Sequence, residues 1–470
     1  MKYTSEESKM ASVAKEELFE RTPIPKAVAS LSIPTIISSL VMVIYSMVDT
    51  YFVGLLNEPV QTAAVALAAP VLLAFNAVNN LFGVGSSSMM SRAMGCKDFD
   101  TVKKSSAFGF YGALFFGFLF AVVCTVFRPA LLTLLGADSV TAATTTSYLD
   151  WTVTLGAVPA ILNVVMAYMI RSEGASLNAS IGTMGGCLVN MILDPICILP
   201  WGLNMGAAGA GMATCFANCC ALVYFFGYML VKRGKTSVCI SPRAFSLQKR
   251  IVLGVCAVGV PASIQNLLNV VGSTVLNNLA ASYGAAALAA MGICTKINMV
   301  PMYVAMGLSQ GVMPLISYNF ASRDYKRMKS ALLYTIRCSE LLLLASSFLM
   351  FFYSGGLTGL FIKDPATVAY GSAFLKGFCL AQPVLALDFM CVGTFQAVGM
   401  GKESFVFAIL RKIVFEIPLL LLLNAVFPLY GLPFAQAVAE LLMALIAIPV
   451  MIRFFRRCRE QKDRTTSAQA

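Results

Sequence analysis

What most constrains this chain is its succession of long apolar runs, each about as long as a bilayer is thick, separated by short charged connections. A helix needs about 20 apolar residues to cross a hydrocarbon core of ~30 Å. Twelve such helices are expected, at 28–53, 62–90, 103–127, 146–170, 178–200, 207–231, 251–280, 286–316, 331–353, 367–397, 405–428 and 433–455. The runs are continuous rather than alternating, which excludes a transmembrane barrel. Charged residues make up 12% of the chain and its mean hydropathy is +0.79. A soluble domain carries about 25% charged residues. Too little charge is present to dress a soluble surface, and the same composition excludes a disordered chain, a fibrous repeat and a disulfide scaffold. The expected fold class is an all-α membrane protein.

The net charge of +12 would suit nucleic acid, but its placement argues against such a partner. Basic residues fall in the N-terminal tail (Lys2, Lys9, Lys15, Arg21, Lys26), in alternate connections and after the last run, whereas the opposite connections hold only Arg128 and Lys363. That asymmetry is the signal that orients helices, and it places both termini in the cytoplasm. In that tally Lys402, Arg411 and Lys412 count as a cytoplasmic group. Residues 1–26 lack a cleavable-signal pattern. The 14 cysteines lie mostly within apolar runs, as Cys215, Cys219 and Cys220 do, and read as small buried hydrophobes rather than disulfides or metal ligands. There is no histidine, so proton chemistry falls to carboxylates.

The chain also repeats itself. SIPTIISSLV at 32–41 matches GVPASIQNLL at 259–268, and GSSSMMSRAMGCKD at 85–98 matches GVMPLISYNFASRD at 311–324. LGADS at 135–139 parallels FIKDP at 361–365, and RSEGAS at 171–176 parallels QAVGMG at 396–401. The offsets, 227, 226, 226 and 225, agree in order along the chain. With six helices per repeat the halves share orientation, related by a pseudo-two-fold axis along the membrane normal. The expected domains are a cytoplasmic tail 1–27, an N-lobe 28–231, a cytoplasmic linker 232–250, a C-lobe 251–455 and a C-terminal tail 456–470, with a substrate path between the lobes.

SIPTIISSLVMVIYSMVDTYFVG, SRAMGCKD, RSEGASLNASIGTMGGCLVNMILDP and GLSQGVMPLISYNF together resemble the multidrug and toxic compound extrusion (MATE) family, over about residues 24–455. The resemblance is closest to the bacterial branch that includes the staphylococcal multidrug efflux pump. It implies export of lipophilic, often cationic organic compounds in exchange for H+ or Na+, by alternating access of two six-helix lobes in the bacterial inner membrane. No cofactor is implied beyond the coupling ion, and the partners are small lipophilic cations and related drugs together with the lipid bilayer. A monomer is expected.

A carboxylate inside a membrane helix costs several kcal/mol unless paired or hydrated, so it defaults to a functional site. Asp49 stands in the outer third of the first helix, and Asp194 in the fifth with Asn190 one turn before it, on the same face. The bland alternative is an aspartic acid held neutral by a structural hydrogen bond. The family resemblance maps Asp49, Asn190 and Asp194 onto a cation-coupling site in the N-lobe, with Thr214 as a further candidate and Na+ as one metal these oxygen ligands suit. In the C-lobe, Asp388 and Glu416 are acids at buried positions, and Lys296 is the expected neutralising partner in a polar network. Some family members carry an acid in the seventh helix; here that helix offers Gln265 and Asn266 instead. Substrate-cavity candidates are Asn79, Gln265, Met291, Met299, Met302 and Asp388, since soft methionine surfaces suit flat, varied ligands. Most methionines in such a chain simply pack.

GAAGAG at 206–211 has no GK[ST] and no preceding strand, so it is no phosphate loop. Ser86–Ser88 lack any histidine to make a hydrolase. An intramembrane aspartyl protease is disfavoured because Asp49 and Asp194 lie in one repeat without a GxGD motif. The chain therefore reads as a transporter rather than an enzyme. The alternatives within the same fold are a flippase for a lipid-linked precursor and an exporter of one endogenous metabolite.

Overall fold

The computed structural model describes residues 17–56 and 58–467; calls on Lys2, Lys9 and Lys15 lie outside the described residues. Among them there is no strand. The helical runs are α1 (Ile24–Gly54), α2 (59–95), α3 (Phe99–Val126), α4 (142–172), α5 (Ser176–Ile198), α6 (Ala207–Val231), α7 (Lys249–Ala281), α8 (Ala285–Ala321), α9 (Tyr325–Phe352), α10 (Pro365–Val398), α11 (401–426) and α12 (Leu432–Ser467). Ten are long and apolar enough to cross a membrane, and α4, bent by 48° between Ala142–Leu155 and Ala157–Ser172, makes an eleventh. The remaining run, α11, is helical throughout but carries Lys402, Glu403, Arg411, Lys412 and Glu416.

Local chemistry sets the boundaries, and it recurs at the repeat offset. Asp98 caps α3, accepting from the Thr101 backbone N–H at 3.1 Å, and Asp324 caps α9, accepting from Arg327 N–H at 3.0 Å. An Asp at this position satisfies one of the amides that a helix start leaves unpaired. The residue before each cap is left-handed, Lys97 at φ 59° and Arg323 at φ 62°. Asp138 accepts from Thr141 N–H at 2.8 Å, and Asp364, its counterpart, caps α10 through Thr367 N–H at 2.9 Å.

The chain forms two compact units. One comprises Ile37–Ser263 with the turn Glu17–Arg21, and the other comprises Thr22–Ile36 with the residues from Ile264 onward. Each repeat therefore gives the first part of its first helix to the other unit. The two changeovers, after Ile36 and after Ser263, fall at equivalent repeat positions, two residues beyond Pro34 and Pro261. Proline removes a helix hydrogen bond and weakens the helix there.

In the first unit, a side chain on Gly85 of α2 would meet Val255 O at 2.5 Å and its Cγ1 at 2.9 Å. In the second, Gly311 of α8, the repeat counterpart, would meet Ser32 Cα at 2.6 Å. In both units a glycine admits the transferred segment. The first unit is centred on the second part of α4, where Ile161, Val165, Met166 and Met169 are fully enclosed. The second packs Met291, Cys294, Phe374, Phe378, Leu420 and Ala435 around α10.

Candidate functional site

In the first unit α5 and α6 lie side by side and bring Asn190, Asp194 and Thr214 together. Asp194 and Asn190 are buried at 0% and 1% exposure. The hydrogen-bond partners on both sides fix the orientation of the Asn190 amide. Asn190 Nδ2 then donates to Asp194 Oδ2 at 2.8 Å, and its Oδ1 accepts from Thr214 N–H at 3.1 Å and from Thr214 Oγ1 at 3.2 Å. The i, i+4 spacing on α5 makes the first contact, and α6 locks the amide from the other side.

Asp49, half-buried on α1, lies close enough to Asp194 for their charges to act on each other. Neither carboxylate has an ion-pair partner among the described residues. Two phenols complete the cluster. Tyr45 precedes Asp49 by one turn on α1 and faces Thr214, and Tyr148 of α4 faces both carboxylates. Sequence reasoning missed both. The four-residue spacing from Asp49 would have pointed to Tyr45, whereas nothing local points to Tyr148.

The chemistry of this group follows from Coulomb's law in a poorly screened site. Two nearby carboxylates with no basic partner cannot both stay charged cheaply, so the cluster favours a bound cation or a proton. The carboxylate, hydroxyl and phenol oxygens are hard donors of the kind that suit a proton or Na+. Among the described residues, no three acidic or thiol side chains are grouped to hold a metal ion.

The second unit handles buried acids differently. Arg411 on α11 is 5% exposed and donates from Nε to Glu440 Oε1 of α12 at 2.9 Å, while its Nη1 lies 3.0 Å from Asp388 Oδ2 of α10. Lys412 holds Glu416 one turn away, Nζ to Oε1 at 2.7 Å. A π-helical stretch, Leu410–Glu416, carries all three α11 side chains. These positions correct several expectations. Lys296 is exposed and is not the neutralising partner; Arg411 and Lys412 are. Those two residues are buried helix positions rather than charges at the cytoplasmic surface, because each has a carboxylate to offset its desolvation. Asp388 is ion-paired and 3% exposed instead of lining a cavity.

Met291 belongs to the packed core at 0% exposure and cannot touch a ligand there. Met299 and Met302 are half-buried on α8. Asn79 is 5% exposed at the end of an α-helical stretch of α2, and its Oδ1 has no hydrogen-bond partner among the described residues. Gln265 accepts from Gln396 Nε2 at 3.2 Å. The fourteen cysteines are free thiols.

The comparisons with known proteins agree with the internal repeat. The signature of the MatE family matches twice, at residues 34–196 and 261–422. The chain is 32% identical over 433 residues to the multidrug export protein MepA of Staphylococcus aureus (strain MRSA252), covering 92% of this chain and 94% of that protein. It is 32% identical over 434 residues to MepA of Staphylococcus saprophyticus, with the same coverage. Among solved structures, a MATE protein in complex with MaL6 superposes with a TM-score of 0.89 at 23% identity, over 94% of this chain and 99% of that one. At that identity the likeness is one of fold.

Proposed function

The chain belongs to the MatE family, and from that premise we propose that it is a secondary active multidrug efflux antiporter of a bacterial inner membrane. It exports lipophilic, often cationic organic compounds in exchange for H+ or Na+, with α11 as the twelfth membrane span and both termini cytoplasmic. The observation that carries this reading is the pair Asp49 and Asp194, with no basic partner among the described residues and with Asn190 and Thr214 as supports. The two MepA relatives, similar along nearly their whole length, support multidrug export.

The mechanism follows from the charges. With the site empty of cations, carboxylate repulsion and desolvation destabilise the arrangement of α1 against α5 and α6. A proton or Na+ entering from outside removes that penalty and stabilises a different packing of the outer part of α1. Pro34, two residues before α1 passes from one unit to the other, is the point at which its two parts can bend independently. A lipophilic cation from the cytoplasm favours the unloaded, negatively charged state, so ion and drug favour different states and each lowers the affinity of the other.

The test is efflux of ethidium from proteoliposomes, driven separately by a proton gradient and by a sodium gradient. Efflux under one gradient, lost in Asp194→Asn, establishes antiport and names the ion. No efflux under either gradient, with folded protein confirmed, overturns the multidrug reading.

A further inference from the structure

A basic residue on the outer face of the second unit stands in an apolar row. Along α9, one of the membrane spans, Lys326, Leu333, Arg337, Leu341, Leu344 and Phe348 recur at helical spacing and are all exposed. Large apolar side chains exposed in a row on a membrane helix face acyl chains. Arg337 interrupts that row about 18 Å along the helix from Tyr325. Neither Arg337 nor Glu340, three residues on, has an ion-pair partner among the described residues. A guanidinium facing lipid without a counter-charge is costly. Helix side chains lean toward the helix N-terminus, so the head of Arg337 is directed toward the membrane surface that Lys326 marks.

The first repeat shows what this surface of the fold accommodates. At the offset of 226, Arg337 corresponds to Tyr111 and Tyr334 to Phe108. Tyr111 donates its hydroxyl to Ile240 O at 2.9 Å, and Phe245 packs on Phe108 and Tyr111 with ring separations of 6.4 and 5.7 Å. The connection between the repeats therefore lays an acceptor oxygen and an apolar group on this face of α3. After the second repeat α12 runs on as helix to Ser467, and among the described residues no strap crosses α9. The donor standing there is a cation, which suits an anionic acceptor.

We propose that Arg337 binds the phosphate of an anionic phospholipid, in the leaflet on the side of the α9 N-terminus, with the acyl chains along Leu341, Leu344 and Phe348. A guanidinium fork matches two phosphate oxygens. Lys326 and Lys329 add positive charge at the same end of α9; Lys329 Nζ lies 5.8 Å from the centre of the Phe455 ring, one turn before Arg459 of α12. The carboxylate of Asp324 is committed to the α9 cap. That surplus selects a headgroup of net negative charge over a zwitterionic one. The partner is a lipid rather than a soluble anion, because Arg337 sits among residues that face acyl chains. The inference needs the chain to lie in a bilayer but not the antiport reading, so lipid selectivity and ethidium efflux fail independently.

The experiment is tryptophan quenching by brominated lipid in the full chain reconstituted into bilayers. Trp151 and Trp201, the two tryptophans of the chain, are replaced by Phe. Leu341→Trp, one turn beyond Arg337 at a position 71% exposed, is the reporter, and Leu344→Trp on the same row is a second one. Quenching by brominated phosphatidylglycerol, set against brominated phosphatidylcholine with the same chains, gives the relative affinity of the two lipids at that position. Phosphatidylglycerol is expected to bind at least about fivefold better, the attraction of one basic residue for an anionic lipid, and Arg337→Gln to lower that preference about fivefold. Equal quenching by the two lipids at both reporters overturns the proposal. So does a preference that survives Arg337→Gln, or one that is as large at Phe118→Trp, an exposed position on α3 of the first unit.

Discussion

The two units share one scaffold and treat buried charge in opposite ways. Asp98 and Asp324, Asp138 and Asp364, and Gly85 and Gly311 do equivalent work at equivalent repeat positions. Yet among the described residues the first unit leaves Asp49 and Asp194 without a basic partner, and the second surrounds Asp388, Glu416 and Glu440 with Arg411 and Lys412. The first arrangement leaves negative charge without a fixed counter-charge among the described residues, which is what the proposed ion coupling requires. The second is largely self-neutralised and is therefore a structural element before it is anything else. The repeated scaffold secures the fold, and departures from the repeat mark where the chemistry differs.

The contrast is broken most sharply by exchanging the expected consequences. Asp194→Asn should reduce ethidium efflux a hundredfold or more while leaving the apparent melting temperature in detergent unchanged or raised, because it removes an unpaired buried charge. A folded variant with parental efflux would remove Asp194 from the coupling site. Arg411→Gln should do the reverse and cost about 3–5 kcal/mol of stability, since it strands two buried carboxylates. A melting temperature that stays put would show that Arg411 is not their counter-charge. Glu440→Gln should cost far less than Arg411→Gln, because it lowers the surplus negative charge instead of raising it.

Two smaller effects sharpen the similarity instead. Gly85→Val and Gly311→Val should each cost roughly 1–3 kcal/mol by forcing the transferred segment away. Unequal losses would mean that the two glycines are not equivalent. Asp98→Ala and Asp324→Ala should each cost about 1 kcal/mol, the usual worth of a helix cap. The Thr101 and Thr367 hydrogen bonds hold the Asp98 and Asp364 carboxyls below the ordinary carboxylate range. Their contribution is therefore full above about pH 4, the unfolded value, and is lost as pH falls through the depressed values. Thermal melts across that acid range should show both repeats weakening together.

Much of this was legible in the sequence for a physical reason. A bilayer fixes helix length, so apolar runs locate helices, and an acid inside such a run is costly enough to announce itself, as Asp49 and Asp194 do. In the sequence Arg411 and Lys412 count with the cytoplasmic basic group although they fall inside the expected helix 405–428, because adjacent basic residues near the end of an apolar run normally lie at the membrane surface. What keeps Arg411 inside is pairing with Asp388 and Glu440, which are distant in sequence, and no local pattern carries that; Lys412 pairs with Glu416 one turn away, a spacing the sequence does show. The π-helical stretch at 410–416 is equally invisible, since it depends on packing. Tyr148 escaped notice because an aromatic residue in a membrane helix has many ordinary reasons to be there.

The transfer of first segments between the units has a consequence for biosynthesis. Residues 22–36 leave the ribosome before any of the residues from 264 onward with which they pack, and the first unit still lacks residues 249–263 when the rest of it has been made. The first unit is complete once residue 263 has been made, whereas the second joins an early segment, 22–36, to residues made only after the first unit is finished. The N-terminal segment must wait, unpaired with its final neighbours, until the second repeat arrives. A break engineered into the connection at 232–248 would cut the sequence between repeats but not between units. Two such fragments should regain function only when made together, each supplying the segment the other needs.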